Sequence, residues 1–457
     1  MAAWNPYDQN AVSPFFDPEW MFGVADGFDI VIGNPPYIQL QNNSGELAKL
    51  YEHCGFSTFA RTGDIYCLFY ERGWQLLKQG GYLCYITSNK WMRAGYGEKT
   101  RDFFATKTNP MLLIDFAGVK IFESATVDTN ILLFSKSNNQ HKTACAVTNK
   151  QNKDSVKNLS DFVQQQDCIC DFSSSDSWVI LSPIEQSIKH KIEAVGTPLK
   201  DWDINIYRGV LTGYNDAFII STEKRDEILS NCQSEEERIK TAELIRPILR
   251  GRDIKRYGYE WANLWIINTH NGIKGKLPRI DVNEYPAIKA HLDQFWDKIS
   301  KRADKGDTPY NLRNCAYMED FNKPKIIWKI IGNRLGFALE NKKMILNNAC
   351  YILTCSDGGL EYLEAMLNSN AILWYSFVTN MNKTGVGDMQ VGAQNINILP
   401  IPKNPHEKQT LCEYVKAIHD NIDQVIMNKI EFLVCKTFGF SEAEQQFLSQ
   451  FARDIYQ

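Results

Sequence analysis

Asn34-Pro35-Pro36-Tyr37 is the stretch of this chain best equipped for chemistry. It follows residues 28–32, Phe-Asp-Ile-Val-Ile, an apolar run that reads as a buried strand stopped by Gly33 and two prolines. Open α/β sheets place their ligands beyond the carboxyl ends of strands, where this loop falls. An exocyclic amine on a conjugated ring is a poor nucleophile because its lone pair is delocalised. Acceptors that pull on the amino hydrogens push the nitrogen towards tetrahedral geometry and release that pair to a methyl group. The Asn34 side-chain oxygen and the Pro35 carbonyl are two such acceptors, and prolines, with fixed φ and no N–H, stiffen the loop that aims them. Tyr37 either offers a flat face to a base swung out of its helix, a stacking interaction of ~1–3 kcal/mol, or fills a core behind a proline-rich turn. This chemistry requires no general base of shifted pKa. It suits a chain whose seven histidines are scattered and whose twelve cysteines, with only Cys168-Ile169-Cys170 closely spaced, lack zinc-ligand spacing.

The elements that must position this loop alternate in type. Apolar spacing predicts a helix over 64–79 closed by Gly80-Gly81, a strand over 82–87, a helix over 98–106, and strands over 111–116 and 130–135, as in a parallel α/β sheet. From 136 to 175 the composition turns to Asn, Gln, Ser and Lys, a linker signal. A second domain of mixed short strands and helices is expected from 178 to 402, and amphipathic helices from 403 to 457, where Ser441 and Glu444 fit a capping box. The chain's 457 residues suit two to four domains at ~100–200 residues each. With 44% hydrophobic and 23% charged residues, no apolar run of ~18 and no signal peptide, a folded cytoplasmic protein with no membrane segment is expected.

The order of these motifs resembles the catalytic half of the amino-methyltransferases that modify adenine N6 in DNA. Phe-Asp-Ile-Val-Ile-Gly-Asn-Pro-Pro-Tyr comes first, then a helix, then Gly-Gly-Tyr-Leu-Cys-Tyr-Ile-Thr-Ser-Asn-Lys-Trp, then a strand and Ile121-Phe122. The resemblance implies that residues 1–140 are part of a Rossmann-like methyltransferase sheet and 141–177 a linker. It makes Asn34, Pro35, Pro36 and Tyr37 the catalytic loop and S-adenosylmethionine the methyl donor. Phe122 falls where an aromatic ring stacks on the flipped base. Phe69 falls where one packs near the cofactor adenine, and either ring could instead be core. Further on, the segments Tyr207-Arg208-Gly209-Val210-Leu211-Thr212-Gly213 and Arg250-Gly251-Arg252-Asp253-Ile254 look like the TaqI-like specificity domain of type IIG restriction–modification enzymes.

Net charge is only −4, yet cations are segregated: none precedes Lys49, and Arg246 to Arg279 and Lys298 to Arg334 are basic-rich. By the resemblance these stretches face double-stranded DNA, with Arg208, Arg250, Arg252, Lys255 and Arg256 as candidates. Arg250 and Arg252 could equally pair with Asp253. The family's glycine-rich cofactor turn is missing: Asp115-Phe116-Ala117-Gly118 imitates only its start, and Gly385-Val386-Gly387 is a lone GxG. The 27 residues before Phe28 cannot hold the missing βα units, which take about 15 residues each. The expectation is therefore an N-terminal methyltransferase or nuclease chain as partner, weak cofactor binding without it, and an apolar edge on the 28–32 strand. Two rival readings are a non-catalytic DNA-binding or assembly subunit, or truncated remnant, that needs an N-terminal partner, and a methyltransferase acting on RNA or on a protein glutamine.

Overall fold

The computed structural model describes residues 8, 16–117, 119, 121–122, 128–148, 157–166, 168–332, 335–356, 358–379, 382–383 and 389–456, which form two compact units, Met1–Gln186 and Ser187–Gln457. The first unit is built on one sheet of six strands: β1 (Phe28–Gly33), β2 (Leu77–Ser88), β3 (Asn109–Asp115), β4 (Thr129–Ser135), β5 (Thr143–Val147) and β6 (Cys168–Cys170), in the order β1-β2-β4-β3-β5-β6. Helix α1 (Tyr66–Leu76) precedes β2, and α2 (Glu98–Lys107) crosses over from β2 to β3. β1 and β2 are parallel, but β4 lies between β2 and β3 and runs antiparallel to both. The sheet is mixed, not parallel throughout. Apolar periodicity reports a strand and says nothing of its direction or its neighbours: β1, expected to be buried, lies at the sheet's edge and has no buried residue.

Two further expectations change. The linker-like stretch supplies β5, β6 and helix α3 (Leu159–Gln166), since Cys145, Ala146, Phe162, Cys168 and Cys170 are buried. The helix expected to reach residue 79 ends at Leu76, and Gly80, at φ +79°, turns inside β2. Beside it, a Cβ on Gly81 would lie 2.9 Å from the Phe28 carbonyl oxygen, so glycine lets β2 pass close to β1. β1 forms the sheet's edge, and Ile30 and Ile32 are 64% and 78% exposed. Under the sheet, Tyr70, Trp91, Phe104, Phe134 and Trp178 form an aromatic core. The Tyr70 hydroxyl lies 2.9 Å from the Thr87 hydroxyl, and Thr87 and the Trp91 indole both donate to the Asn130 side-chain oxygen.

The second unit holds two four-stranded sheets. One, antiparallel throughout, runs Phe337–Glu340, Lys325–Lys329, Cys350–Cys355, Ile204–Arg208, and the other runs Ile345–Leu346, Ile245–Leu249, Leu264–Ile267, Ile219–Ser221. Helices Lys408–Asp420, Gln424–Phe438 and Glu442–Tyr456 end the chain. The last begins with the expected capping box: the Ser441 amide donates to the Glu444 carboxylate at 2.6 Å, and the Glu444 amide to the Ser441 hydroxyl at 3.4 Å.

Two cations of the second basic-rich stretch are buried and hold this unit together. Lys325 pairs with Glu340, both fully buried. Arg302 donates to the carbonyls of Thr212, Asp304, Pro309 and Asn311 and lies 4.5 Å over the Phe218 ring. Burial lowers its pKa to about 10, so it stays charged at neutral pH. Arg302→Met leaves those carbonyls without their donor and should lower the stability of the second unit by ~3 kcal/mol, read from urea midpoints, with Lys a poor substitute for the planar fork. Burial disfavours the charged Glu444, but hydrogen bonds from Lys191, Ser187 and Ser441 prevail and hold its pKa at about 2, against an ordinary 4.5. It therefore contributes stability above pH 4.5 that is lost as the pH falls towards 2. Acid unfolding of Glu444→Gln should lack that component.

Candidate active site and DNA interface

Because β2 and β3 both oppose β4, and β1 is parallel to β2, all three end on one side of the sheet. The loops after them bring Asn34 to Tyr37, Asn89 to Met92, and Phe122 to that side, where ligands of such sheets bind. Asn34 and Pro36 are exposed, Pro35 is buried and Tyr37 half-buried. The loop is strapped to the chain entering α1: Ile65 N–H donates to the Ile38 carbonyl and Leu40 N–H to that of Gly63, each at 2.9 Å. Anchored at both ends, the diproline corner holds Asn34 outward.

Tyr37 meets Tyr66 edge-on, with ring centroids 6.1 Å apart. Its hydroxyl is buried with no hydrogen-bond partner among the described residues, and burial raises its pKa. Behind it the Tyr66 and Tyr96 hydroxyls are 2.8 Å apart, and Tyr96 donates to Asp64 at 3.4 Å. Burial raises the Asp64 pKa, opposed by the Tyr96 hydrogen bond and the charge of Lys90. At the ends of β2 and β3, Asn89 donates to Asp115 at 2.8 Å. Burial raises the Asp115 pKa, and Asn89 opposes it. Asp64, Tyr96 and Asn89 escaped the sequence reading. Their one signal is position: Asp64 opens a predicted helix, Tyr96 precedes another and Asn89 follows a predicted strand.

Phe69, on α1, is 39% exposed and joins neither the cluster around Tyr66 nor that around Leu40. Its ring is thus only partly covered. Phe122 is half-buried, and the topology alone brings it to the same side of the sheet as Asn34. Asp115 and Phe116 are buried at the end of β3, while Gly118 and Gly385-Val386-Gly387 lie outside the described residues. Among the described residues no group of His, Cys, Asp and Glu could hold a metal ion, and no helix is long and apolar enough to cross a membrane.

In the second unit, Arg208, Arg250 and Arg252 line one open cleft of about 780 Å³. Arg208 Nε donates to the Asn348 carbonyl at 2.7 Å. Arg250 forks onto buried Asp253 through Nη2 at 2.8 Å and Nε at 3.1 Å. Arg252 is exposed without a partner among the described residues, and Lys255, also exposed, does not line this cleft. Arg256 is drawn inward: its Nη2 donates to the Asn368 carbonyl and to Glu431, each at 2.6 Å. That guanidinium anchors the Gln424–Phe438 helix, a role hidden from a sequence reading because Glu431 is 175 positions away. Arg334 lies outside the described residues.

Residues 5–122 match the family described as Eco57I restriction-modification methylase, and residues 246–401 match the TaqI-like C-terminal specificity domain. The chain thus joins a segment similar to a restriction-modification methylase to a segment similar to a TaqI-like specificity domain. It is 22% identical over 432 residues to type II methyltransferase M.BstVI of Geobacillus stearothermophilus, covering 87% of this chain and 72% of that one. To M.PaeR7I of Pseudomonas aeruginosa it is 23% identical over 434 residues, covering 92% and 72%. The structure of the type IIL restriction-modification enzyme MmeI in complex with DNA superposes with a TM-score of 0.53 at 12% identity, covering 93% of this chain and 57% of that one. This chain therefore spans little more than half of that enzyme.

The exposure of Phe69 separates a binding role from a packing role. Phe69→Ala should change thermal stability by no more than ~0.5 kcal/mol, whereas Tyr70→Ala, at a fully buried ring, should cost ~3–5 kcal/mol in the same melts.

Proposed function

We propose that this chain is the base-methylating and sequence-reading part of a site-specific DNA adenine N6 methyltransferase of a restriction–modification system, acting in the cytoplasm on double-stranded DNA. The observation that carries this reading is the exposed Asn34 on a diproline corner held between the end of β1 and the hydrogen bonds at Ile38 and Leu40, at the carboxyl side of the sheet and next to the half-buried Tyr37. Asn34 Oδ1 and the Pro35 carbonyl accept from the amino group of a flipped adenine, whose ring stacks on Tyr37 with Phe122 as the second face. Removing the two hydrogens' freedom in this way localises the nitrogen lone pair, and no protein base need take a proton beforehand.

S-adenosylmethionine supplies the methyl group as an electrophile when bound. Phe69, a partly exposed ring on α1, suits its adenine. The glycine-rich cradle for the rest of the cofactor is provided by an N-terminal segment or chain that pairs with β1. Supporting that docking are the open edge of β1 and the exposed Ile30 and Ile32.

The test is transfer of labelled methyl groups into duplex DNA, with and without a complementing cofactor-binding chain, and N6-methyladenine read by nucleoside mass spectrometry. Asn34→Ala should lower incorporation by about 100-fold or more, the scale seen on removing one aligned hydrogen-bonding group from a catalytic site. Unchanged incorporation would sink the reading. Calorimetric titration of the chain alone should show S-adenosylmethionine binding weaker than micromolar. Micromolar affinity would overturn the docked cradle but leave the catalytic loop standing.

A further inference from the structure

Two clefts in the second unit differ in what their polar side chains are free to do. Around the cleft of about 930 Å³, the Asn271 amide donates to Asp307 and Asn314, and Arg279 pairs with Asp307 at 3.5 Å. Its charged groups without partners among the described residues are Lys274 and Lys276, on a loop bounded by Gly272 and turned by Gly275. In the cleft of about 780 Å³, Arg208 and Arg250 are engaged but other polar side chains are not. Arg252, Asp216 and the Asn348 side chain line it, and none has a hydrogen bond or ion pair among the described residues.

We propose that Arg252, Asp216 and Asn348 read base edges in DNA, while Lys274 and Lys276 hold phosphates. This rests on the duplex-DNA reading above and names the side chains that would give it sequence preference. A guanidinium fork matches guanine O6 and N7, a carboxylate accepts from cytosine N4, and an Asn amide matches adenine N6 and N7. A groove made only for phosphates gains from cations and loses from an unpaired carboxylate, which repels the backbone. Asp216 is such a carboxylate, lining the same cleft as Arg208, Arg252 and Lys329. Arg252 also stands on a braced turn. Asp253 accepts from the Arg250 amide at 2.8 Å as well as from its side chain, closing the Gly251–Asp253 turn and holding the Arg252 backbone in place. A fixed base for a long side chain is what discrimination between bases requires. The lysines sit on a loop whose other polar groups are tied to one another, which suits point charges placed along a backbone.

The experiment exposes the full chain to a pool of duplexes with a randomised centre, recovers the bound fraction and sequences it. Wild type should enrich one motif. Arg252→Ala should lose preference for guanine at one position by roughly 10-fold or more, and Asp216→Asn should alter preference at another. The double variant Lys274→Ala, Lys276→Ala should keep the motif, weaken binding to every sequence alike, and reduce the slope of log affinity against log salt by ~2. If Arg252→Ala is poorly folded by circular dichroism, Asp216→Asn, which keeps shape, carries the test. A motif that survives both Arg252→Ala and Asp216→Asn, with affinity lowered uniformly, makes these residues backbone contacts and overturns the assignment. A wild-type chain that enriches no motif overturns the assignment together with the site-specific reading on which it rests.

Discussion

The parallel pairing of β1 with β2 is the constraint on which the first unit's chemistry depends. Pairing runs from Ile30 opposite Tyr82 to Gly33 opposite Tyr85, and it ends where the diproline loop begins. It brings the strands together at Gly81, where any side chain would strike the β1 backbone. Were this register to slip by one residue, Asn34 would turn to the other side of the loop and Pro35 would leave its buried place. The loop's rigidity is thus inherited from a sheet and from the two amide hydrogen bonds that fasten residues 38–40 to 63–65. Asp64 sits within that fastening, so the carboxyl group, the two tyrosine hydroxyls and the loop are mechanically one assembly.

Much of this was legible in the sequence because it rests on local rules. The strand before Asn34 is announced by its apolar run and by prolines that cannot continue it, and the box at Ser441 and Glu444 by three-residue spacing. The strand alternation and the resemblance carried by the NPPY and Arg-Gly-Arg-Asp motifs reach as far as the domain matches do. What the sequence concealed depends on partners distant in the chain. The antiparallel course of β4, the strands within a polar stretch, and the inward turn of Arg256 towards Glu431 all arise from tertiary pairing. Gly80-Gly81 misled for a related reason: a glycine pair reads as a helix end, whereas here it serves a close strand approach.

The same contrast governs the cations of the second unit. Lys325, Arg302, Arg250 and Arg256 look alike in composition to Arg252 and Lys274, yet the first four are engaged by carboxylates or carbonyls of their own unit. Burial of a guanidinium is tolerable when several oxygens surround it, as at Arg302, and such a group then sets the shape of the chain around it rather than the charge of its surface. Counting basic residues overstates how many can meet a polyanion. The number that matters is the few whose donors remain unengaged.

The outer edge of β1 carries one more consequence. Backbone amides and carbonyls are the same in every protein, so hydrogen bonding along that edge cannot tell one mating strand from another. Selectivity must come from how neighbouring side chains fit against Ile30 and Ile32. Two positions are a narrow lock, so a handful of substitutions there would suffice to change which strand that edge accepts.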